Sequence, residues 1–265
     1  MRARADLAAA ADENLAAHLT WVQARTPGMR ALVREDLVLT ECGMGCDTFN
    51  AVCRARLAAA TAPARILEAI AWFAGRPFSW WVGPADEPGD LGARLSAAGL
   101  APAESEIAMA ADLSRLRTIE TAPGGLAIRR ARTPEDLTDF ARVEAANWAP
   151  PDRLLVRFYE LAAPVLLAPG CPLRPYVGYA GGEAVAASEL TVAGEVAGLY
   201  GISTLAAHRH RGYASAMTAH PLLEARRDGV TTAVLQASAA GLPVYERIGF
   251  KGFGAITEYK PGGGA

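Results

Sequence analysis

The stretch Leu199-Tyr-Gly-Ile-Ser-Thr-Leu-Ala-Ala-His-Arg-His-Arg-Gly-Tyr-Ala-Ser215 reads as a β-strand, a short basic turn containing glycine, and the start of a helix. The spacing Arg209-x-x-Gly212-x-Ala214 sets small residues where that helix opens. Backbone N–H groups at a helix start lack intrahelical partners and carry partial positive charge. A phosphate sits well there when no side chain blocks its approach. The turn therefore predicts a pyrophosphate held at the N-terminus of the helix that opens near Arg211. A solvated basic connection explains the arginines but not Gly212, a poor helix former in a first turn. Neither G-x-G-x-x-G nor G-x-x-x-x-G-K-[ST] occurs.

The rest of the composition narrows the partners. The chain has 265 residues, room for one large domain or two small ones. A net charge of −2 argues against bulk binding to nucleic acid or an anionic membrane. No apolar run is long enough to span a bilayer, and Asp6, Asp12 and Glu13 interrupt any secretory apolar segment. Cys42, Cys46, Cys53 and Cys171 make a poor disulfide framework, so a cytoplasmic setting is expected. Cys42-x-x-x-Cys46 with Cys53 lacks a fourth ligand at standard spacing, so no metal site is expected.

Working outward along the chain, Leu7, Ala11, Leu15 and Leu19 mark an amphipathic helix. A hairpin follows across Arg34-Glu35-Asp36, then a helix capped by Thr61 and stopped near Gly75. Phe78–Val82 reads as a strand, Leu91–Ala98 as a short helix and Glu104–Ala111 as another strand. The polar segment Ser114–Gly125 is taken as a domain boundary. Beyond it lie a strand at Leu126–Arg130, a helix opened by Thr133-Pro-Glu-Asp, and a second helix opened by Pro151-Asp152. Strands near Tyr176–Tyr179, Ala184–Val192 and Val196–Leu205 precede the helix of Arg211–Asp228, in which Pro221 predicts a kink. A strand at Thr232–Ser238, a short helix at Leu242–Ile248 and a strand at Phe253–Tyr259 close the chain. The two halves end alike: glycine-stopped helix, strand, short helix, glycine plus apolar residue, strand. Gly75, Trp80-Trp81 and Gly99-Leu100 mark the first set; Gly229, Val234-Leu235 and Gly249-Phe250 mark the second. A diverged internal duplication follows from that pattern.

The strand, Arg-x-x-Gly-x-Ala, helix, glycine, strand order, followed by Pro243-Val-Tyr-Glu-Arg-Ile-Gly-Phe250, resembles the GNAT superfamily of N-acetyltransferases over residues 126–260. The duplicated layout resembles tandem members whose first half has decayed. The resemblance implies an α/β fold with a GNAT-like mixed central sheet and splayed parallel strands, preceded by a smaller diverged GNAT-like lobe. The expected domains are 1–118, degenerate, and 125–260, catalytic, with 261–265 a disordered tail. It implies acetyl-CoA as cofactor, its pantetheine arm lying between Val196–Leu205 and Thr232–Ser238 and pairing with Ile202, Ser203 and Thr204. Its pyrophosphate is expected on the turn of Arg209, His210, Arg211, Gly212, Tyr213, Ala214 and Ser215, with Ser238 nearby where relatives often carry Asn.

Tyr245 matches the family's usual general acid. A phenol of pKa roughly 10 can deliver a proton to a thiolate whose conjugate acid is near roughly 8.5. A backbone N–H near Ser203 is placed to meet the developing oxyanion. The base is less determined: the splayed strands hold no carboxylate, so Glu189 on the preceding strand is the candidate, directly or through a water. Glu246 should point away on its helix. The first half has no glycine in Arg54-Ala-Arg-Leu-Ala-Ala and carries Leu95 where the second has Tyr245, so it is expected neither to bind nor to catalyse, but to cover a sheet edge and wall an acceptor cleft. That cleft is expected near Trp148, Phe158 and Tyr200. The implied activity is acetyl transfer from acetyl-CoA to a primary amine of a small molecule or peptide, with a homodimer left open. A non-catalytic acyl-CoA sensor is the alternative, and RNA contact through His208–Arg211 a third reading.

Overall fold

A computed structural model describes residues 3–116 and 123–262. Residues 117–118 of the expected first domain, 119–122 of the expected boundary and 263–265 of the expected tail lie outside the described residues. By packing, the chain divides into a unit of Met109–Gly252 and a unit of Arg2–Ala108 with Phe253–Ala265. This division differs from the expected one at both ends: it falls inside the strand β5 (Leu100–Asp112), and it groups most of the last strand, β11 (Lys251–Pro261), with the N-terminal unit. The reason is a long-range pairing that follows no local pattern. β11 runs antiparallel to β4 (Ser79–Val82), Glu258 opposite Trp81, and the Ser79 hydroxyl donates to Glu258 Oε1 at 2.5 Å.

In the N-terminal unit, α1 (Arg4–Thr20) precedes the hairpin of β1 (Arg30–Val33) and β2 (Val38–Glu41). β3 (Ala51–Cys53) pairs antiparallel with β2 and parallel with β4. Three residues long and buried throughout, β3 shows no alternation and was not expected from the sequence. α2 (Ala62–Trp72) and α3 (Leu91–Ala97) add Ile66, Leu91 and Leu95 to a core around Trp80. The Phe73 and Phe78 rings stack in that core at 4.2 Å. Thr61 precedes α2 but makes no cap; its hydroxyl donates back to the Ala58 carbonyl.

In the other unit, β6 (Ala127–Arg130), β7 (Leu173–Ala180), β8 (Glu183–Ala193) and β9 (Val196–Thr204) form an antiparallel run. β10 (Thr232–Ala237) joins β9 in parallel. Both helices before β7 are capped as their sequence dictates. Thr133 and Asp136 close a capping box on α4 (Pro134–Ala145), and Asp152 accepts from the Leu154 and Leu155 amides of α5 (Arg153–Leu166). Successive residues of a strand face opposite sides. Ser188 of β8 donates to Met217 of α6 (Tyr213–Arg227), while Glu189 meets Tyr159 of α5, so α6 and the α4–α5 pair cover opposite faces. α7 (Leu242–Ile248) follows β10 and is stopped by Gly249 at φ +117°.

Candidate functional site

The site begins with a bulge. The β8–β9 register shifts between Ala187 and Glu189, so Gly201 and Ile202 of β9 oppose Ser188 alone. Gly201 takes φ +55°, a conformation only glycine adopts cheaply. A bulge of this kind bends its strand and ends regular pairing. The parallel register of β9 with β10 accordingly runs from Val196–Thr232 to Leu199–Leu235. Beyond it the strands part and a cavity of about 590 Å³ opens.

The wall gathers most of the residues expected to bind a cofactor. Ile202, Ser203 and Thr204 come from β9; Arg209, His210, Gly212, Tyr213, Ala214 and Ser215 from the turn and the start of α6; Ser238 from the end of β10; and Tyr245 from α7. Arg211 is not among the lining residues, and its guanidinium donates to the Ala207 carbonyl at 3.3 Å. The Tyr213 ring packs into the core. Asn147, Ala240, Gly241, Val244 and Arg247, none singled out in the sequence, complete the wall with His208, which the sequence had marked only for RNA contact. Glu189 lies off the wall, 2% exposed, with the Tyr159 hydroxyl donating to its Oε2 at 3.3 Å. Of the aromatic residues expected about an acceptor, Trp148 is exposed and Phe158 buried.

The turn is built for close approach by a ligand. Gly212 stands at φ +79° as the N-terminal boundary of α6, with no side chain capping the helix. A Cβ there would lie 3.0 Å from Pro123 Cγ. Arg209 Nε donates to the Thr204 carbonyl at 3.1 Å, folding that side chain against its own turn. Pro221 does not break α6, which continues to Arg227. The proline removes the N–H that would bond the Met217 carbonyl, and the Ser188 hydroxyl takes its place at 2.9 Å. At the far wall, a Cβ on Gly241 would meet the Tyr245 ring at 2.7 Å, so the glycine makes room for that ring.

Glu144 of α4 is the feature that sequence reasoning missed. Its carboxyl is buried beneath Gly201, where an added Cβ would stand 2.7 Å from Oε2. Burial, and then the Glu189 charge, push its pKa up to about 8, against a lowering hydrogen bond from Ser203. Asn147 Nδ2 donates to Ser203 Oγ at 2.7 Å. The signal was present: Leu137, Phe140, Ala141 and Glu144 share one helical stripe, so an acid stands where the pattern asks for an apolar residue.

Residues 180–253 match the family model described as an acetyltransferase (GNAT) domain. Over those residues the chain is similar to GNAT acetyltransferase domains. Among solved structures it is similar to a GCN5-related N-acetyltransferase from Kribbella flavida, at 19% identity and TM-score 0.72, covering 96% of each chain. It is also similar to a tandem GNAT protein from the clavulanic acid biosynthesis pathway, at 16% identity and TM-score 0.63, covering 98% of this chain and 94% of that one. A GCN5-related N-acetyltransferase from Sphaerobacter thermophilus matches at 15% identity and TM-score 0.59, covering 84% of this chain and 79% of that one. These likenesses show the fold, a mixed α/β GNAT fold of tandem type. No curated protein matches the chain. GNAT domains transfer acetyl groups from acetyl-CoA and act on amines. The parted strands, the uncapped α6 and the open Gly212 turn fit that cofactor. Among the described residues no helix is long and apolar enough to cross a membrane, and no group of three or more His, Cys, Asp or Glu could hold a metal ion.

Proposed function

We propose that the Met109–Gly252 unit transfers an acetyl group from acetyl-CoA to a primary amine of a small molecule or peptide. The observation that carries this reading is one cavity bounded by the ends of parted strands, an uncapped helix start and Tyr245. Acetyl-CoA, when bound, supplies an activated thioester. Backbone groups of Ile202, Ser203 and Thr204 hold the pantetheine arm as a neighbouring strand would, and Ser238 stands across from them. Main-chain amides from His210 to Ser215 take the pyrophosphate, aided by the α6 dipole. A backbone N–H near Ser203 faces the charge developing on the carbonyl oxygen. Tyr245 donates its hydroxyl proton to the departing sulfur. Glu189 stands behind the wall, so any proton reaching it must pass through another group. The four free, buried cysteines suit a reducing cytoplasmic setting.

A panel of primary amines incubated with acetyl-CoA, read as thiol release, tests the proposal. The wild type should release thiol in an amine-dependent way, and Tyr245→Phe should keep acetyl-CoA affinity while losing turnover. Binding of acetyl-CoA with no turnover in either form would instead identify an acyl-CoA sensor.

A further inference from the structure

We infer that Ser203 and Glu144 form a proton relay in which the attacking amine gives its proton to Ser203 Oγ while the Ser203 hydroxyl proton passes to the Glu144 carboxylate. The inference rests on the acetyl-transfer reading and adds to it the route by which the acceptor loses its proton. Ser203 lines the cavity, whereas Glu144 does not, and a side-chain hydrogen bond from Ser203 acts on the Glu144 carboxyl. Asn147 Nδ2 donates to Ser203 Oγ at 2.7 Å, which occupies one lone pair and leaves the hydroxyl proton for another acceptor. Glu144 supplies that acceptor. Its Oε1 is buried with no hydrogen-bond partner, an unusual state for a carboxyl oxygen, and one that a role in moving protons explains. Gly201 lets the strand close over this carboxyl, since any Cβ there would collide with it.

The electrons balance. The amine lone pair forms the N–C bond, and the pair of the broken N–H bond stays on nitrogen. The C–S pair leaves with sulfur, which takes the Tyr245 proton. Solvent later returns a proton to Tyr245 and removes one from Glu144. The relay runs when Glu144 is ionised, and burial with the Glu189 charge places that ionisation at about 8. Glu189 on β8 is the charged neighbour that shifts it, and Tyr159 on α5 bonds Glu189. β9 contributes no charged residue, and no cation is among the groups acting on Glu144.

The test compares wild type, Glu144→Gln and Ser203→Ala with two acceptor amines of different basicity. In the wild type, kcat should rise along one limb that moves with the amine and one that stays fixed near Glu144's ionisation. Both variants should lose the fixed limb and about 10²-fold or more in kcat, with acetyl-CoA affinity kept. Infrared difference spectra need no acceptor: a protonated-carboxyl band should vanish as pH rises through Glu144's ionisation, and should be missing from Glu144→Gln. A wild type that transfers acetyl while either variant keeps the fixed limb and rate overturns the relay alone, as does the absence of that band. Transfer to no amine by the wild type overturns the acetyl-transfer reading, and the relay with it.

Discussion

Each unit contains a pair of parallel strands that reaches an end, and the two ends are treated in opposite ways. In the Met109–Gly252 unit, β9 bends away from β10 at the Gly201 bulge, and the gap stays open as the cavity. In the N-terminal unit, one carboxylate closes the gap between β3 and β4. Asp86 accepts from the Ala55 amide at 2.5 Å and from the Gly83 amide at 2.6 Å, so it bridges the ends of both strands. The ladder then resumes, with Arg56 opposite Glu87 and the Glu87 amide donating to the Ala55 carbonyl at 2.9 Å. Arg56 pairs with Asp86 at 3.1 Å and with Asp12 at 2.8 Å. The chain supplies its own anion and its own strand where the other unit leaves room for foreign ones. Four residues before the glycine that ends each short helix stand Leu95, sealed in the core, and Tyr245, facing the cavity. A cavity of this kind is made by withholding pairing from backbone groups that would otherwise find partners within the chain.

The comparison can be broken first at the buried acids. Glu144 holds its proton more tightly folded than unfolded, about 8 against an ordinary 4.5. Its contribution to stability is therefore full below the unfolded value and is lost as pH rises through the folded one. The loss over that window is up to about 5 kcal/mol. Urea midpoints measured across it should fall steadily in the wild type and much less in Glu144→Gln; equal slopes would show that the acid under the bulge is not strained by burial. Asp86 is shifted in the same direction but is held by more partners. Burial and the neighbouring Asp12 raise its pKa, yet two amides and Arg56 hold it. Removing it in Asp86→Ala leaves Arg56 short of one partner and two strand ends unjoined. About 3–5 kcal/mol of destabilisation is expected, with acetyl-CoA affinity unchanged. A calorimetric Kd that moved with Asp86 would end the view that this closed gap serves structure alone.

Next in size is Tyr245→Phe, which should cost about 10²-fold in kcat, or about 3 kcal/mol of barrier, at unchanged acetyl-CoA affinity. The reciprocal change, Leu95→Tyr, should create no second activity, because Asp86 already fills the gap on that side. Steady-state thiol release separates these outcomes, and activity retained in Tyr245→Phe would remove the acid from the mechanism.

The open site was legible where local chemistry dictates local shape. Gly212 is read directly from its place at a helix start, Tyr245 from the resemblance that Pro243–Phe250 carries, and both line the cavity. The tandem layout was legible too, because Gly75 and Gly229, and Gly99 and Gly249, end matching helices. What escaped depends on partners distant in sequence. β3 is too short to show a period. The destination of β11 is set by Trp80, Trp81 and Val82, far earlier in the chain. Glu144 is visible only as a polar break in the stripe of α4, and its meaning needs Gly201 and Ser203 from another element. Glu189 was chosen for lying on a strand beside the splayed pair, but the side of the sheet it faces puts α5 against it.

The smallest effect concerns how each unit carries a proline in the helix that follows its parallel strand. α2 has Pro63 in its first turn, where no intrahelical N–H is needed. α6 has Pro221 inside, and the Met217 carbonyl it orphans is served by Ser188. Ser188→Ala should therefore cost about 1–3 kcal/mol, the penalty of a buried carbonyl left without a donor. Pro221→Ala gives the helix back its own N–H, so the double variant should recover much of that loss. A double-mutant cycle in urea reads the coupling. Additive losses would mean that the serine and the proline are unrelated; recovery would show that β8 completes the backbone of the helix whose first turn opens the site.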